Sequence, residues 1–205
     1  MTPGIRQRRI GLTGGIASGK SSVARLLAQE HGLPLLDADV EARQALAPGT
    51  PAARAVVERF GAGVLAPGTA TAAAVLNRAA LGQIVFHDRQ HLTWLEQLVH
   101  PIVRSRLAQQ LQTLAAAPVV VLVVPLLFET GLQDQCSEVW LVDCDLQQQL
   151  ARLMARDGLS TGDAQARIDA QWPLARKRPL AQVLLDNRGH PDALRPQVSK
   201  ALEQR

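Results

Sequence analysis

The sequence contains no tyrosine, and with three phenylalanines and three tryptophans its aromatic content is only 3% of 205 residues. A chain so poor in rings lacks the stacking platform by which proteins hold single-stranded nucleic acid. Its two cysteines, Cys136 and Cys144, can neither frame a disulfide scaffold nor supply four zinc ligands. Reduced thiols in a cytoplasmic protein are the expectation. The longest apolar run, Pro118 to Phe128, falls well short of the roughly 20 residues a membrane-spanning helix needs. Arg6 to Arg9 lead into too few apolar residues for a signal peptide. Charge of one sign is not in large excess either, at 22 Lys+Arg against 18 Asp+Glu. Basic residues recur at Arg6, Arg8 and Arg9, which read as a solvated tail, and at Arg152, Arg156, Arg167, Arg176, Lys177 and Arg178. Duplex nucleic acid could use either group, but no binding motif accompanies them, so neither nucleic acid nor membrane is expected as a partner.

What is present suits one core domain, with 47% hydrophobic and 20% charged residues. A chain of this length buries about 70% of its unfolded surface. Near the N-terminus, Ile10-Gly11-Leu12-Thr13 reads as a short strand, and Gly14-Gly15-Ile16-Ala17-Ser18-Gly19-Lys20-Ser21 follows it directly. That octapeptide fits G-x-x-x-x-G-K-[ST] at every fixed position, in the strand-to-helix context the pattern requires. Glycines let backbone N–H groups wrap a polyphosphate, and the helix N-terminus adds unpaired donors and partial positive charge. Lys20 reaches the terminal phosphates, the Ser21 hydroxyl suits Mg²⁺, and Ser22 offers a further hydroxyl.

Beyond the loop a helix runs to about Gly32, and Leu33 to Leu36 form a second strand ending at Asp37-Ala38-Asp39. In open α/β sheets ligands collect at the carboxyl ends of strands, so both carboxylates arrive on the rim of the phosphate loop. Either Asp taken alone is equally well a helix cap. A phosphotransferase needs one carboxylate to orient or deprotonate the acceptor hydroxyl, and a second helps hold Mg²⁺ through water. From Pro51 to Ala116 the chain reads as helical, with an interruption at His100-Pro101. His87 and His91 lie one helical turn apart, but without the glutamate or third ligand of a zinc site they read as surface histidines. Val119 to Val124 is β-branched or apolar throughout, as expected of a central parallel strand covered on both faces. It leads to Glu129 near the rim, a functional carboxylate or a cap or salt-bridge partner. Val139–Asp143 is a fourth strand, Leu146–Arg156 and a Ser160-capped segment are helices, and Gln182–Leu185 is a fifth strand leading to Asp186-Asn187-Arg188-Gly189.

Taken together these residues resemble the dephospho-CoA kinase family over nearly the whole chain. Leu12-Thr13-Gly14-Gly15-Ile16-Ala17-Ser18-Gly19-Lys20-Ser21 is close to its L-T-G-G-I-x-S-G-K-S, and Asp37-Ala38-Asp39 with Ala42-Arg43 to its D-A-D-x-x-A-R. His100-Pro101, Val124-Pro125-Leu126-Leu127-Phe128-Glu129 and Asp186-Asn187-Arg188-Gly189 are similar to its H-P, V-P-L-L-x-E and D-N-x-G motifs, in the same order. The resemblance implies transfer of the ATP γ-phosphate to the 3′-hydroxyl of the ribose of dephospho-CoA, the last step of coenzyme A synthesis. It implies Asp39 as base, Asp37, Arg43, His100 and Glu129 toward the acceptor, and Arg152 and Asn187 near ATP.

The fold expected is a three-layer α/β P-loop NTPase fold with a five-stranded parallel sheet. Its core would cover about residues 8–40 and 117–205, a helical acceptor-binding insertion about 41–116, and a helical lid about 152–180. ATP and Mg²⁺ are the expected cofactors, and the chain is taken as a monomer or weak homo-oligomer. The family's pattern has a glycine where this chain has Ala17, so the loop there is expected in ordinary helical or extended backbone. Another small-metabolite kinase, of nucleoside or shikimate type, remains open. A nucleotide-operated switch fits less well, because Asp186-x-x-Gly189 lies at the far end of the chain and no N-K-x-D guanine motif is present. A binding module with idle carboxylates is a third reading.

Overall fold

The computed structural model describes residues 7–69 and 75–204; Arg6 lies outside them, as does 70–74 of the region read as helical. Five strands, β1 (Arg8–Gly14), β2 (Leu35–Asp37), β3 (Val119–Val123), β4 (Glu138–Asp143) and β5 (Val183–Asp186), form one sheet in the order β2-β3-β1-β4-β5. All pairings are parallel, with Ile10 opposite Val121 on one side and Glu138 on the other, and Leu12 opposite Val123 and Trp140. A parallel sheet needs helical crossovers, which cover both faces, so its inner strands are apolar without alternation. Burying each Val or Leu is worth about 1.5–3 kcal/mol, and β1, β3 and β4 bury nearly every residue.

The covering helices follow from apolar spacing. Val23, Ala24 and Leu27 of α1 (Lys20–Gln29) and Leu194, Val198 and Ala201 of α9 (Leu194–Glu203) join Ile10, Leu12, Val121, Val123, Trp140 and Val142 in one core cluster. On the C-terminal side follow α6 (Leu146–Asp157), α7 (Thr161–Asp169) and α8 (Leu174–Lys177). Leu174 meets Leu141 and Cys144 in a second cluster. Gly158 ends α6 in the left-handed conformation and the Ser160 side chain caps α7. β2 starts later than expected: the Leu33 N–H is already bonded to the Leu27 carbonyl in closing α1, and Pro34 has no N–H.

By internal contacts the chain divides into two compact units, Met1–Asp37 with Gln110–Arg205, and Ala38–Gln109. The second holds α2 (Ala38–Ala45), α3 (Pro51–Phe60), α4 (Arg78–Val85) and most of α5 (Arg89–Thr113). Its core is Ala53, Val56, Val57, Val64, Leu81 and Val85, and Phe60 packs edge-on against His91 and Trp94. His91 is therefore half-buried instead of a plain surface histidine, while His87 is exposed. The expected interruption at His100-Pro101 is absent, for α5 runs unbroken through Pro101. Pro101 removes one backbone hydrogen bond, but Val99, Val103 and Leu107 bury one continuous stripe on either side of it and hold the helix together.

Nor is Arg8 part of a solvated tail. It lies in β1, its guanidinium pairs with the buried Glu138 at 2.5 Å, and it also donates to the Leu202 and Ala201 carbonyls at the end of α9. A cation there satisfies orphan carbonyls and complements the helix dipole.

Candidate active site

β1 is the central strand, and its chain leaves the sheet at Gly14 and enters α1 at Lys20. Gly19 sits at the N-cap with φ 103, a left-handed conformation, and no side chain caps the helix. An added Cβ at Gly19 would collide with Nδ2 of Asn187, so only glycine lets the β5 exit approach this closely. Asn187, 7% exposed, donates from Nδ2 to the Ser18 carbonyl at 2.7 Å, and its own N–H donates to the Asp143 carbonyl. Arg152 of α6 donates to the Asn187 carbonyl at 3.0 Å, while its other terminal nitrogen, Nη1, is buried without a partner. Asn187 and Arg152, far apart in sequence, thus meet at the phosphate loop.

Within the loop, the Ser18 N–H donates to the Gly15 carbonyl at 3.2 Å and closes a turn around Ile16 and Ala17. Ala17 has φ 57. The expectation of ordinary backbone at this residue is corrected: the turn needs a left-handed residue, and alanine occupies it at a cost of about 1–2 kcal/mol. Lys20 extends back over the loop, its Nζ donating to the carbonyls of Gly14 at 3.1 Å and Gly15 at 2.7 Å. Ser21 is exposed and Ser22 half-buried in the first turn of α1. With Lys20 above and uncapped N–H groups below, the loop has the donor set that a polyphosphate requires.

Asp37 ends β2 opposite Val123, half-buried. Asp39 and Arg43 are four residues apart on α2 and exposed. Since α2 begins at Ala38, Asp39 lies in its first turn and is not the N-cap. Between them Glu41 is buried and pairs with Arg106 at 3.4 Å. His100 is half-buried midway along α5; burial first, and the Arg104 charge second, hold its pKa below the ordinary histidine value.

Glu129 proves to be a salt-bridge partner. Lys177, fully buried, pairs with its Oε1 at 2.7 Å, and the Trp172 N–H donates to the same oxygen at 2.9 Å. Oε2 is buried without a partner. Burial pushes the Lys177 pKa down, and the bond to Glu129 opposes it. Lys177 also donates to the Pro125 carbonyl, which accepts the Thr13 hydroxyl as well, tying α8 to the end of β1. In sequence Lys177 looks like one more member of a basic cluster. Other members pair at the surface: Arg178 pairs with the buried Asp143, as does Arg188, and Arg156 and Arg167 pair with Asp157, while Arg156, Arg176 and Arg188 stay exposed. Gln149 and Gln171, which contact the backbone of Ile16, carry no motif of their own; a glutamine in the buried stripe of α6 is the only local signal for the first.

Among the described residues no group of three or more His, Cys, Asp or Glu side chains is placed to hold a metal ion. Mg²⁺ takes much of its coordination from water and substrate phosphates, so a dedicated cluster of this kind is not required to bind it. No helix among the described residues is long and apolar enough to cross a membrane.

The fold and the loop are shared with known proteins. The family model described as dephospho-CoA kinase matches residues 8–192. A dephospho-CoA kinase from Synechococcus sp. strain CC9605 is 60% identical over 205 residues, covering 99% of this chain and 97% of that protein. Among solved structures, a Thermus thermophilus protein superposes with a TM-score of 0.75 at 37% identity, covering 97% of this chain and 98% of that one. The dephospho-CoA kinase from Campylobacter jejuni superposes with a TM-score of 0.67 at 26% identity, covering 96% of both chains. A match that spans the loop, the β2 exit, the β3 exit and the β5 exit alike goes beyond a shared nucleotide site, and the chain belongs to the dephospho-CoA kinase family.

Proposed function

We propose that this chain transfers the γ-phosphoryl group of ATP to the 3′-hydroxyl of the ribose of dephospho-CoA, giving coenzyme A and ADP. What carries the choice of acceptor is the likeness to a dephospho-CoA kinase along 99% of the chain. The phosphate loop by itself supports only the nucleotide half of the reaction.

In this mechanism the N–H groups at Ala17, Gly19 and Ser21 and the Lys20 ammonium take the β- and γ-phosphates, exchanging their hydration for fixed donors. The Ser21 hydroxyl would hold Mg²⁺, which would supply positive charge to offset that of the phosphates. Asp39 accepts the proton of the attacking hydroxyl, and Asp37 supports the metal through water or orients the acceptor. Arg152 meets the transferring phosphoryl group with its Nη1, and the segment 152–180 serves as a lid beside the loop. The helical unit from Ala38 grips the acceptor through Arg43 and His100, and Glu129, beyond the end of β3, also lies toward the acceptor. The enzyme works as a monomer or weak homo-oligomer in the cytoplasm.

Incubating the protein with MgATP and dephospho-CoA alone should give a mass shift of one phosphate on the acceptor. Shikimate or nucleosides offered in its place should yield no ADP, and phosphorylation of those instead would overturn the acceptor assignment. Replacing Asp39 by Asn should lower kcat by about 10²–10⁴ while the affinity for ATP changes little; parent-level turnover would remove the base role.

A further inference from the structure

The backbone of Ile16 is held on both sides by side chains from distant segments. Its N–H donates to Gln171 Oε1 at 2.9 Å, and its carbonyl accepts from Gln149 Nε2 at 2.8 Å. Gln149 stands on α6 and is 5% exposed, while Gln171 lies between α7 and α8. The Gly15–Ile16 peptide unit is therefore fixed by one glutamine and the Ile16–Ala17 unit by the other. The second of these sets the direction from which the chain enters Ala17, the one non-glycine residue with positive φ among those described.

A strained backbone persists only where its surroundings over-determine it. For alanine the left-handed region costs about five- to thirtyfold in an equilibrium, and a single side-chain hydrogen bond returns about fivefold. The two bonds to Ile16 are of the size the strain demands. Gln171 is itself anchored, since the next residue, Trp172, donates to Glu129, which pairs with the fully buried Lys177. The Gln149 amide crowds Gly15 so closely that a Cβ there would collide with it, which fixes the glutamine against the loop.

We propose that Gln149 and Gln171 are positioning residues that hold the phosphate loop in the left-handed turn at Ala17, so that its N–H groups stay arranged for the β- and γ-phosphates. The inference rests on the loop being the ATP site. It assigns these glutamines no contact with substrate; they act through the Ile16 peptide units. It also ties the loop to the α6–α8 segment, since both clamps come from there.

The test is a double-mutant comparison, with Kd for a non-hydrolysable ATP analogue with Mg²⁺ measured by calorimetry. Gln149→Ala and Gln171→Met are made in the parent and in an Ala17→Gly background. Each should raise Kd about fivefold in the parent, with KM for dephospho-CoA unchanged. In the Ala17→Gly background, where the turn no longer strains the chain, the same changes should cost less than about twofold. Equal losses in both backgrounds would overturn the proposal and leave the glutamines as packing groups. Gln171→Met keeps the side-chain length, so it decides the matter if Gln149→Ala does not fold. A parent chain that fails to bind the analogue overturns the functional reading first, and this inference with it.

Discussion

Helices α1 and α3 are each ten residues long, and each begins after a turn that leaves N–H groups to be satisfied. In α3, Pro51 follows the cap and contributes no donor, while Thr50 Oγ1 accepts from the Ala53 N–H at 3.1 Å. The same hydroxyl donates back to the Ala45 and Ala47 carbonyls. In α1 the cap is Gly19, no side chain accepts from the first turn, and no acidic residue lies in it. α3 ends its own donors internally, whereas α1 keeps them for a ligand and forgoes about 1 kcal/mol of capping. A helix N-terminus becomes a binding site when the sequence declines to cap it and supplies a cation instead of an anion.

Breaking that contrast at α1 should have the largest effect. Lys20→Ala should lower kcat by about 10²–10³ with little change in Tm, since the ammonium acts on developing charge and not on the fold; steady-state rates at saturating substrates within threefold of the parent would refute its role. Gly19→Ala should come next, costing about 1–3 kcal/mol of stability and at least tenfold in MgATP affinity, because the Cβ meets Asn187 and φ is positive. Denaturant unfolding and calorimetry on one preparation would separate the two losses. At α3, Thr50→Ala should cost about 1 kcal/mol, or about 2–4 °C in Tm, with MgATP affinity unchanged. A matching loss of nucleotide binding would blur the distinction between the two helix starts.

The smallest effect concerns the thiols. Burial raises Cys136 from 9.0 to about 12 and Cys144 from 9.0 to about 11, with Arg152 and Lys20 among the charges opposing the rise at Cys144. Both pKa values lie above that of an unfolded cysteine, so both thiols stay neutral in the folded chain through pH 9 and alkylate slowly. Lys20→Ala removes one cation that lowers the Cys144 value, and should slow its alkylation slightly further; faster labelling would mean that the loop region had opened.

Much of the nucleotide site was legible locally because a phosphate loop is contiguous. Strand, glycines, lysine and hydroxyl follow one another from Ile10 to Ser21, and the apolar run at β3 needs no partner to be recognised. What failed to show depends on residues remote in sequence. Gln171 reaches Ile16 across 155 positions, and Arg8 reaches Glu138 across 130. Pro101 looked like a helix end because a proline removes a donor, and only the buried stripe on both sides of it reversed that outcome. Ala17 misled for a related reason, since intrinsic backbone preference argues against the positive φ it adopts.

By itself the sequence determined the strand-loop-helix unit, the parallel sheet and the family, since those follow from local pattern and motif order. Only the tertiary structure decided how the polar residues around the loop are paired. It turned Lys177 inward to Glu129, placed Arg152 on Asn187, and set Gln149 and Gln171 on the Ile16 backbone. The reason is physical: a charge or amide in an unfolded chain is solvated alike wherever it stands, and it acquires a specific partner only when folding removes the water and brings distant segments within hydrogen-bond reach.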